Sequence, residues 1–147
     1  PHRARKRAPL RGTSGQRHMT PFVLVDSSVW MRHFKHGDAR LATLLAQDQV
    51  AIHPFIIGEI ACGTPPRRVQ LLGDLRRLRS VQQCSLNELL AFIDRHQLQG
   101  LGCGLVDLFL LASTLMTPVT QLWTADRRLD ALARRFGVAY PPVDDPA

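Results

Sequence analysis

Short apolar runs alternate along this chain with longer segments whose apolar residues recur at helical spacing. The clearest runs are "PFVLVD", "VAIHP" and "TQLWT", at residues 21–26, 50–54 and 120–124. Such short apolar runs, rich in Val or bounded by turn residues, indicate buried strands. Strands that alternate with helices in this way favour a mostly parallel sheet with helices on both faces. The sequence therefore predicts an α/β fold with a mostly parallel central sheet between two helical layers.

Weaker signals complete the pattern. Residues 80–84 and 138–140 are expected to form poorer strands. Apolar spacing and capping residues, such as Ser85 followed by Glu88, predict the helices. They are expected at residues 27–34, 39–47, 55–63, 67–80, 85–98, 104–116 and 126–137.

The net charge of +7 comes almost entirely from the N-terminal segment. Residues 1–18 contain six of the 19 Lys and Arg residues and none of the 12 acidic residues, which leaves 13 basic and 12 acidic residues elsewhere. This basic tail lacks an apolar period, so we expect it to be disordered. It is either a basic RNA-binding arm or, as we favour, sequence upstream of a natural start at Met19. Residues 19–147 are then one folded domain.

The cysteines and the apolar segments indicate the compartment. Cys62, Cys84 and Cys103 have neither zinc-site spacing nor a close pair, as in proteins of a reduced compartment. No apolar stretch is long enough to span a bilayer, which takes about 20 residues. The tail lacks the apolar segment of a secretory signal. We therefore expect a soluble, cytoplasmic protein.

Four acidic residues occupy positions that require an explanation. Asp26 and Asp126 follow predicted strands, where ligand chemistry gathers in open α/β sheets. Glu59 and Asp107 interrupt apolar helical segments, and an isolated buried carboxylate costs several kcal/mol. Each one alone has a structural explanation as a helix cap or an ion-pair partner. Together they predict one site at which four carboxylates converge.

Converging carboxylates repel each other, and a divalent cation removes that repulsion. Oxygen ligands without a His or Cys partner suit Mg²⁺ or Mn²⁺ better than zinc. Cations of this kind assist the hydrolysis of phosphodiesters. The sequence thus predicts metal-assisted phosphodiester hydrolysis at Asp26, Glu59, Asp107 and Asp126, with Asp26, Asp107 and Asp126 as metal ligands.

Four motifs resemble those of one family in their order and spacing. "VLVDSSVW", "HPFIIGEIACG", "GLVDLFLLAS" and "LWTADRRL" are similar to motifs of the PIN-domain ribonucleases, above all the VapC toxins of type II toxin–antitoxin systems. The resemblance spans about residues 21–140. It implies a PIN-like three-layer α/β/α sandwich over residues 19–147 and a Mg²⁺- or Mn²⁺-dependent endoribonuclease. It also implies a homodimer, inhibition by a VapB-type antitoxin, and tRNA or ribosomal RNA as substrate.

The resemblance adds supporting residues to the four acids. Ser28 and Thr124 stand where relatives commonly use hydroxyl groups, although both residues could equally be caps. Arg128 stands where many relatives have a further acid. We therefore expect one tightly held cation, with a second arriving with RNA. Arg127 and Arg128 flank the predicted site and either contact the RNA backbone or form a solvated helix face.

One alternative from another functional class stays open at this point. A non-catalytic PIN-like interaction module would pair its acids with arginines and bind no metal. Ion pairs from Arg127 or Arg128 to two or more of the four acids would favour that alternative.

Overall fold

The computed structural model describes residues 20–141. The predicted basic tail, residues 1–18, and the predicted start at Met19 lie outside these residues. The strands are β1 (Phe22–Val25), β2 (Val50–Ile52), β3 (Arg79–Ser80) and β4 (Thr120–Trp123). The helices are α1 (Ser27–His36), α2 (Ala39–Ala46), α3 (Pro54–Ala61), α4 (Arg68–Arg76), α5 (Leu86–His96), α6 (Leu105–Met116) and α7 (Arg127–Arg135).

The four strands form one all-parallel sheet in the order β3-β2-β1-β4. Each step from β1 to β2 to β3 moves in one direction, whereas the chain returns across the sheet to reach β4. Because parallel crossovers are right-handed, this reversal places α1 to α4 on one face and α5 to α7 on the other. Helix contacts agree, since α3 packs on α1 and α4, while α6 packs on α5, α7 and β4. The predicted three-layer α/β fold is confirmed.

The core lies on both faces of the central strand. Val23, Leu24 and Val25 of β1 are all fully buried, as expected for a strand with helices on each side. Helix α6 is buried on nearly all sides over residues 108–114. None of the helices within residues 20–141 has the length and apolarity to cross a membrane.

Two predicted strands differ in extent from those observed. The strand predicted at 80–84 is shorter and begins earlier, at Arg79, because only Arg79 and Ser80 pair with β2 before the chain turns away. The segment predicted at 138–140 runs beside β4 through two backbone hydrogen bonds with Leu122, but it makes only an isolated bridge.

The topology places the carboxyl ends of β1, β2 and β4 side by side. Asp26 follows β1, His53 follows β2 and Thr124 follows β4. A helix begins within a few residues of each of these ends. This edge of the sheet is therefore where the predicted site should assemble.

Candidate active site

The four predicted acids interact electrostatically at this edge of the sheet. Repulsion from Asp26 and Asp107 acts on Glu59, and repulsion from Asp26 and Asp126 acts on Asp107. Each acid comes from a different segment of the chain. We call Asp26, Glu59, Asp107 and Asp126 the acid cluster.

Asp26 is the most buried member of the acid cluster, with only 5% of its surface exposed. Its Oδ1 accepts a hydrogen bond from the Ser27 backbone N–H at 2.7 Å, which caps α1. Its Oδ2 accepts from the hydroxyl of Thr124 at 2.7 Å and from that of Ser28 at 3.2 Å. Four neutral dipoles, counting a long 3.4 Å contact from the Ser27 hydroxyl, thus compensate the burial of this carboxylate.

The hydroxyls of Ser28 and Thr124 join the end of β1 to the turn after β4. While donating to Asp26, Ser28 Oγ accepts from the Ala125 backbone N–H at 3.1 Å, and Thr124 Oγ1 accepts from the Asp126 N–H at 3.0 Å. Both residues therefore fix Asp26 relative to the backbone that carries Asp126.

Asp107 lies in the first turn of α6 and is half-buried. Its Oδ2 accepts from the Gly104 backbone N–H at 3.2 Å. Burial raises the pKa of Asp107, and repulsion from Asp26 and Asp126 raises it further, whereas the bond from Gly104 opposes the rise. Within residues 20–141, Asp107 Oδ1 accepts no hydrogen bond, so it is available to a ligand.

Asp126 caps α7 and is exposed. Its Oδ1 accepts from the backbone N–H groups of Arg128 at 2.9 Å and Leu129 at 3.0 Å. No donor among the described residues reaches its Oδ2. Asp126 therefore fills a capping role with one oxygen and leaves the other free.

Glu59 is less buried than the sequence led us to expect. The sequence suggested that it is buried, but the residue is exposed, because Ile56 and Ile60 form the core-facing stripe of α3 and Glu59 lies outside it. Its carboxyl group is still partly shielded. This burial raises the pKa of Glu59, as does repulsion from Asp26 and Asp107, and the neighbouring Ser27 side chain partly opposes the rise.

No arginine or lysine among the described residues pairs with the acid cluster. The ion pairs within residues 20–141 join Arg32 to Asp38 and Arg134 to Asp130. The Arg127 side chain makes no hydrogen bond or ion pair among these residues, and the Arg128 side chain donates to the Gly102 carbonyl oxygen. The pairing that an interaction module would require is therefore absent from the described part of the chain.

The donor set of the acid cluster fits a hard divalent cation. All four side chains offer oxygen, and repulsion among them favours a positive charge. Within residues 20–141, no three acidic, His or Cys side chains converge tightly enough to enclose an ion unaided. Mg²⁺ is commonly bound through one or two carboxylates with waters completing its octahedron, so a looser carboxylate set suits it.

Sequence reasoning missed two contributors to the site. Ser27 interacts with both Asp26 and Glu59, and its place in the "DSS" motif was the available signal. The second is the Cys103 thiol. Burial raises its pKa, and the charges of nearby Asp107 and Asp126 raise it further. Nothing in its spacing revealed that position.

His53 has a structural role, as expected for a core histidine. Only 1% of its surface is exposed. Its Nδ1 accepts from the Phe55 N–H at 3.0 Å and so caps α3, while its Nε2 has no partner among the described residues. Burial lowers the pKa of His53 to about 4.

Comparison with known proteins identifies the family. No family model matches the chain. Two curated proteins do, both named "Ribonuclease VapC32", from Mycobacterium tuberculosis strains CDC 1551 / Oshkosh and ATCC 25618 / H37Rv. Each is 39% identical over 117 residues, which cover 80% of this chain and 94% of the relative. With the α/β/α fold, this similarity confirms the predicted family: the chain belongs to the VapC family of PIN-domain ribonucleases.

Proposed function

We propose that this protein is the toxic component of a type II toxin–antitoxin pair and acts as a Mg²⁺- or Mn²⁺-dependent endoribonuclease. The observation that carries the proposal is the acid cluster, in which carboxylates from four separate segments interact electrostatically without a cationic partner among the described residues. The name of the VapC32 relatives supports RNA as the substrate.

Three acids would hold the cation. Asp107 and Asp126 each offer an oxygen that no described group occupies, and Asp26 is oriented by its hydroxyl donors. When bound, the cation lowers the pKa of a coordinated water and offsets negative charge on the phosphate.

The remaining groups handle protons and orientation. Glu59 has a raised pKa, which suits it to accept a proton from the attacking water. The water oxygen bonds to phosphorus as the bond from phosphorus to the 3′ oxygen breaks, and that oxygen takes up a proton. The products are a 5′-phosphate and a 3′-hydroxyl. Ser28 and Thr124 keep Asp26 oriented throughout.

The partners follow from the family. A VapB-type antitoxin would inhibit the enzyme, a homodimer would be the working unit, and structured tRNA or ribosomal RNA would be the substrate. All of these would be found in the cytoplasm. Reduced cysteines are consistent with that location, since none of the three is paired.

Cleavage of end-labelled tRNA and ribosomal RNA tests the proposal. Purified, antitoxin-free protein should produce discrete cuts with Mg²⁺ and with Mn²⁺, and none with EDTA. Folded protein that cuts no RNA in either metal would contradict the assignment.

The inactive control should be Asp107→Asn rather than Asp26→Asn. Asp26 accepts hydrogen bonds at both oxygens, so an amide there would oppose hydroxyl donors and disturb the fold. Asp107 accepts a single bond, and its variant should fold normally while losing cleavage. Full activity in Asp107→Asn would exclude it from the site.

A further inference from the structure

Arg128 lies across the loop that precedes α6. An added Cβ at Gly102 would meet the Arg128 side chain at Nη1 and at 2.6 Å from Cδ and 2.8 Å from Cζ. Arg128 Nη1 also makes a long 3.5 Å hydrogen bond to the Gly102 carbonyl oxygen. Gly102 has a φ of +86°, which glycine tolerates best. The absence of a side chain at Gly102 thus leaves room for the Arg128 side chain.

This position is beside the acid cluster. Cys103, the next residue in the loop, is influenced by the charges of Asp107, Asp126 and Arg128 together. The loop ends at Gly104, whose N–H binds Asp107. Arg128 is also joined to Asp126 through its backbone N–H. The Arg128 side chain therefore contacts the loop that leads to Asp107, while its backbone N–H donates to Asp126.

Most of the hydrogen-bonding capacity of this guanidinium is unused. The side chain is exposed, and it forms no ion pair within residues 20–141. An arginine side chain has five N–H donors in a planar fork, which matches two oxygens of a phosphate. The contact with Gly102 places the side chain beside the loop that leads to Asp107.

We propose that Arg128 is a substrate-binding residue, which contacts a phosphate of the RNA beside the acid cluster and depends on Gly102 for its placement. The inference rests on the proposed function and gives that site a phosphate-binding group from its own chain. The Arg127 side chain makes no hydrogen bond or ion pair among the described residues and lacks this placement.

Direct RNA binding tests the role of Arg128. Binding is measured in the Asp107→Asn background, so that an RNA cut by the wild type stays intact. Arg128→Ala should raise Kd about tenfold. It should also reduce the slope of log Kd against log salt by about one, as expected for the loss of one phosphate contact. Arg128→Lys keeps the charge but loses the planar guanidinium, so its Kd should lie between those of the background protein and Arg128→Ala. Arg95→Ala removes an exposed arginine from α5 and should change neither quantity.

A double-mutant cycle tests the placement. Gly102→Ala should weaken RNA binding as Arg128→Ala does, and the double variant should be no weaker than either. Additive losses would show that Gly102 does not act through Arg128. Equal effects of Arg128→Ala and Arg95→Ala, in a protein whose wild type cleaves RNA, would overturn the role of Arg128 alone. A wild type that cleaves no RNA would instead contradict the proposed function.

Discussion

At the scale of single residues, Asp26 shows how a carboxylate can be buried without an arginine. Its partners are a backbone amide and the hydroxyls of Ser27, Ser28 and Thr124, all of them neutral. Neutral donors offset the cost of burying the carboxylate but do not neutralise its negative charge. That uncompensated charge is what a divalent cation would meet.

Thr124→Val tests this network with little change in volume. The valine cannot donate to Asp26 or accept from the Asp126 N–H, so the buried Asp26 carboxylate loses one of its hydrogen bonds and the part-buried Asp126 N–H loses its partner. We expect the free energy of unfolding to fall by about 1–3 kcal/mol and kcat to fall about 100-fold through misplaced carboxylates. Thr124→Ser keeps the hydroxyl and should retain most of the stability and most of kcat. Chemical denaturation and RNA-cleavage kinetics provide the readouts, and unchanged kcat in Thr124→Val would contradict the role of the hydroxyl.

The lowered pKa of His53 predicts that the fold loses stability in acid. Its pKa is about 4 in the fold against an ordinary value of 6.5, so the unfolded chain binds more protons between these values. Stability from this residue is therefore complete above pH 6.5 and decreases as the pH falls towards 4, by about 3 kcal/mol in total.

The matched variant is His53→Asn, which can still accept from the Phe55 N–H but does not titrate in this range. The free energy of unfolding should depend less steeply on pH in the variant than in the wild type over that window. Contributions from Glu59 and Asp107 are shared by both proteins and cancel in the difference. Equal pH slopes would show that His53 is not buried in its neutral form.

At the scale of helices and strands, some boundaries could be predicted from sequence and others could not. Helix α6 was predictable because Gly104 precedes an apolar run that is buried on nearly all sides. Gly100 and Gly102, which precede this helix, have positive φ. Strand β3 was not predictable, since two exposed edge residues have no apolar pattern and are fixed only by pairing with β2.

The first turn of α6 gives a prediction about Asp107. Gly104 has a φ of −83° and open space where a Cβ would lie, so alanine fits there. Proline accepts a similar φ, but its Cδ replaces the hydrogen that faces Asp107. Gly104→Ala keeps the N–H that binds Asp107 and should remain active. Gly104→Pro removes that donor, which raises the pKa of Asp107 further.

On acidification, cleavage by Gly104→Pro should therefore begin to decrease at a higher pH than cleavage by Gly104→Ala, and it should require more Mg²⁺. The comparison is the pH dependence of cleavage by the two variants at fixed Mg²⁺. Identical pH profiles would show that the Gly104 N–H does not control the ionisation of Asp107.

At the scale of the whole molecule, the site results from the strand order. Parallel strands deliver Asp26 and Asp126 to one edge, and this much followed from their positions after apolar runs. The exposure of Glu59 did not follow, because a short apolar helix does not reveal which side faces the core. The contact between Arg128 and Gly102 was equally hidden, since it joins segments distant in sequence through a glycine conformation.

Mn²⁺ binding, measured by isothermal titration calorimetry near neutral pH, tests whether the acid cluster acts as one cation-binding unit. The wild type should bind one Mn²⁺ tightly, and Mg²⁺ should compete for the same site. Asp107→Asn, folded as judged by circular dichroism, should lose that binding together with RNA cleavage. Equal Mn²⁺ binding by the wild type and Asp107→Asn, or RNA cleavage that persists in EDTA, would contradict the account.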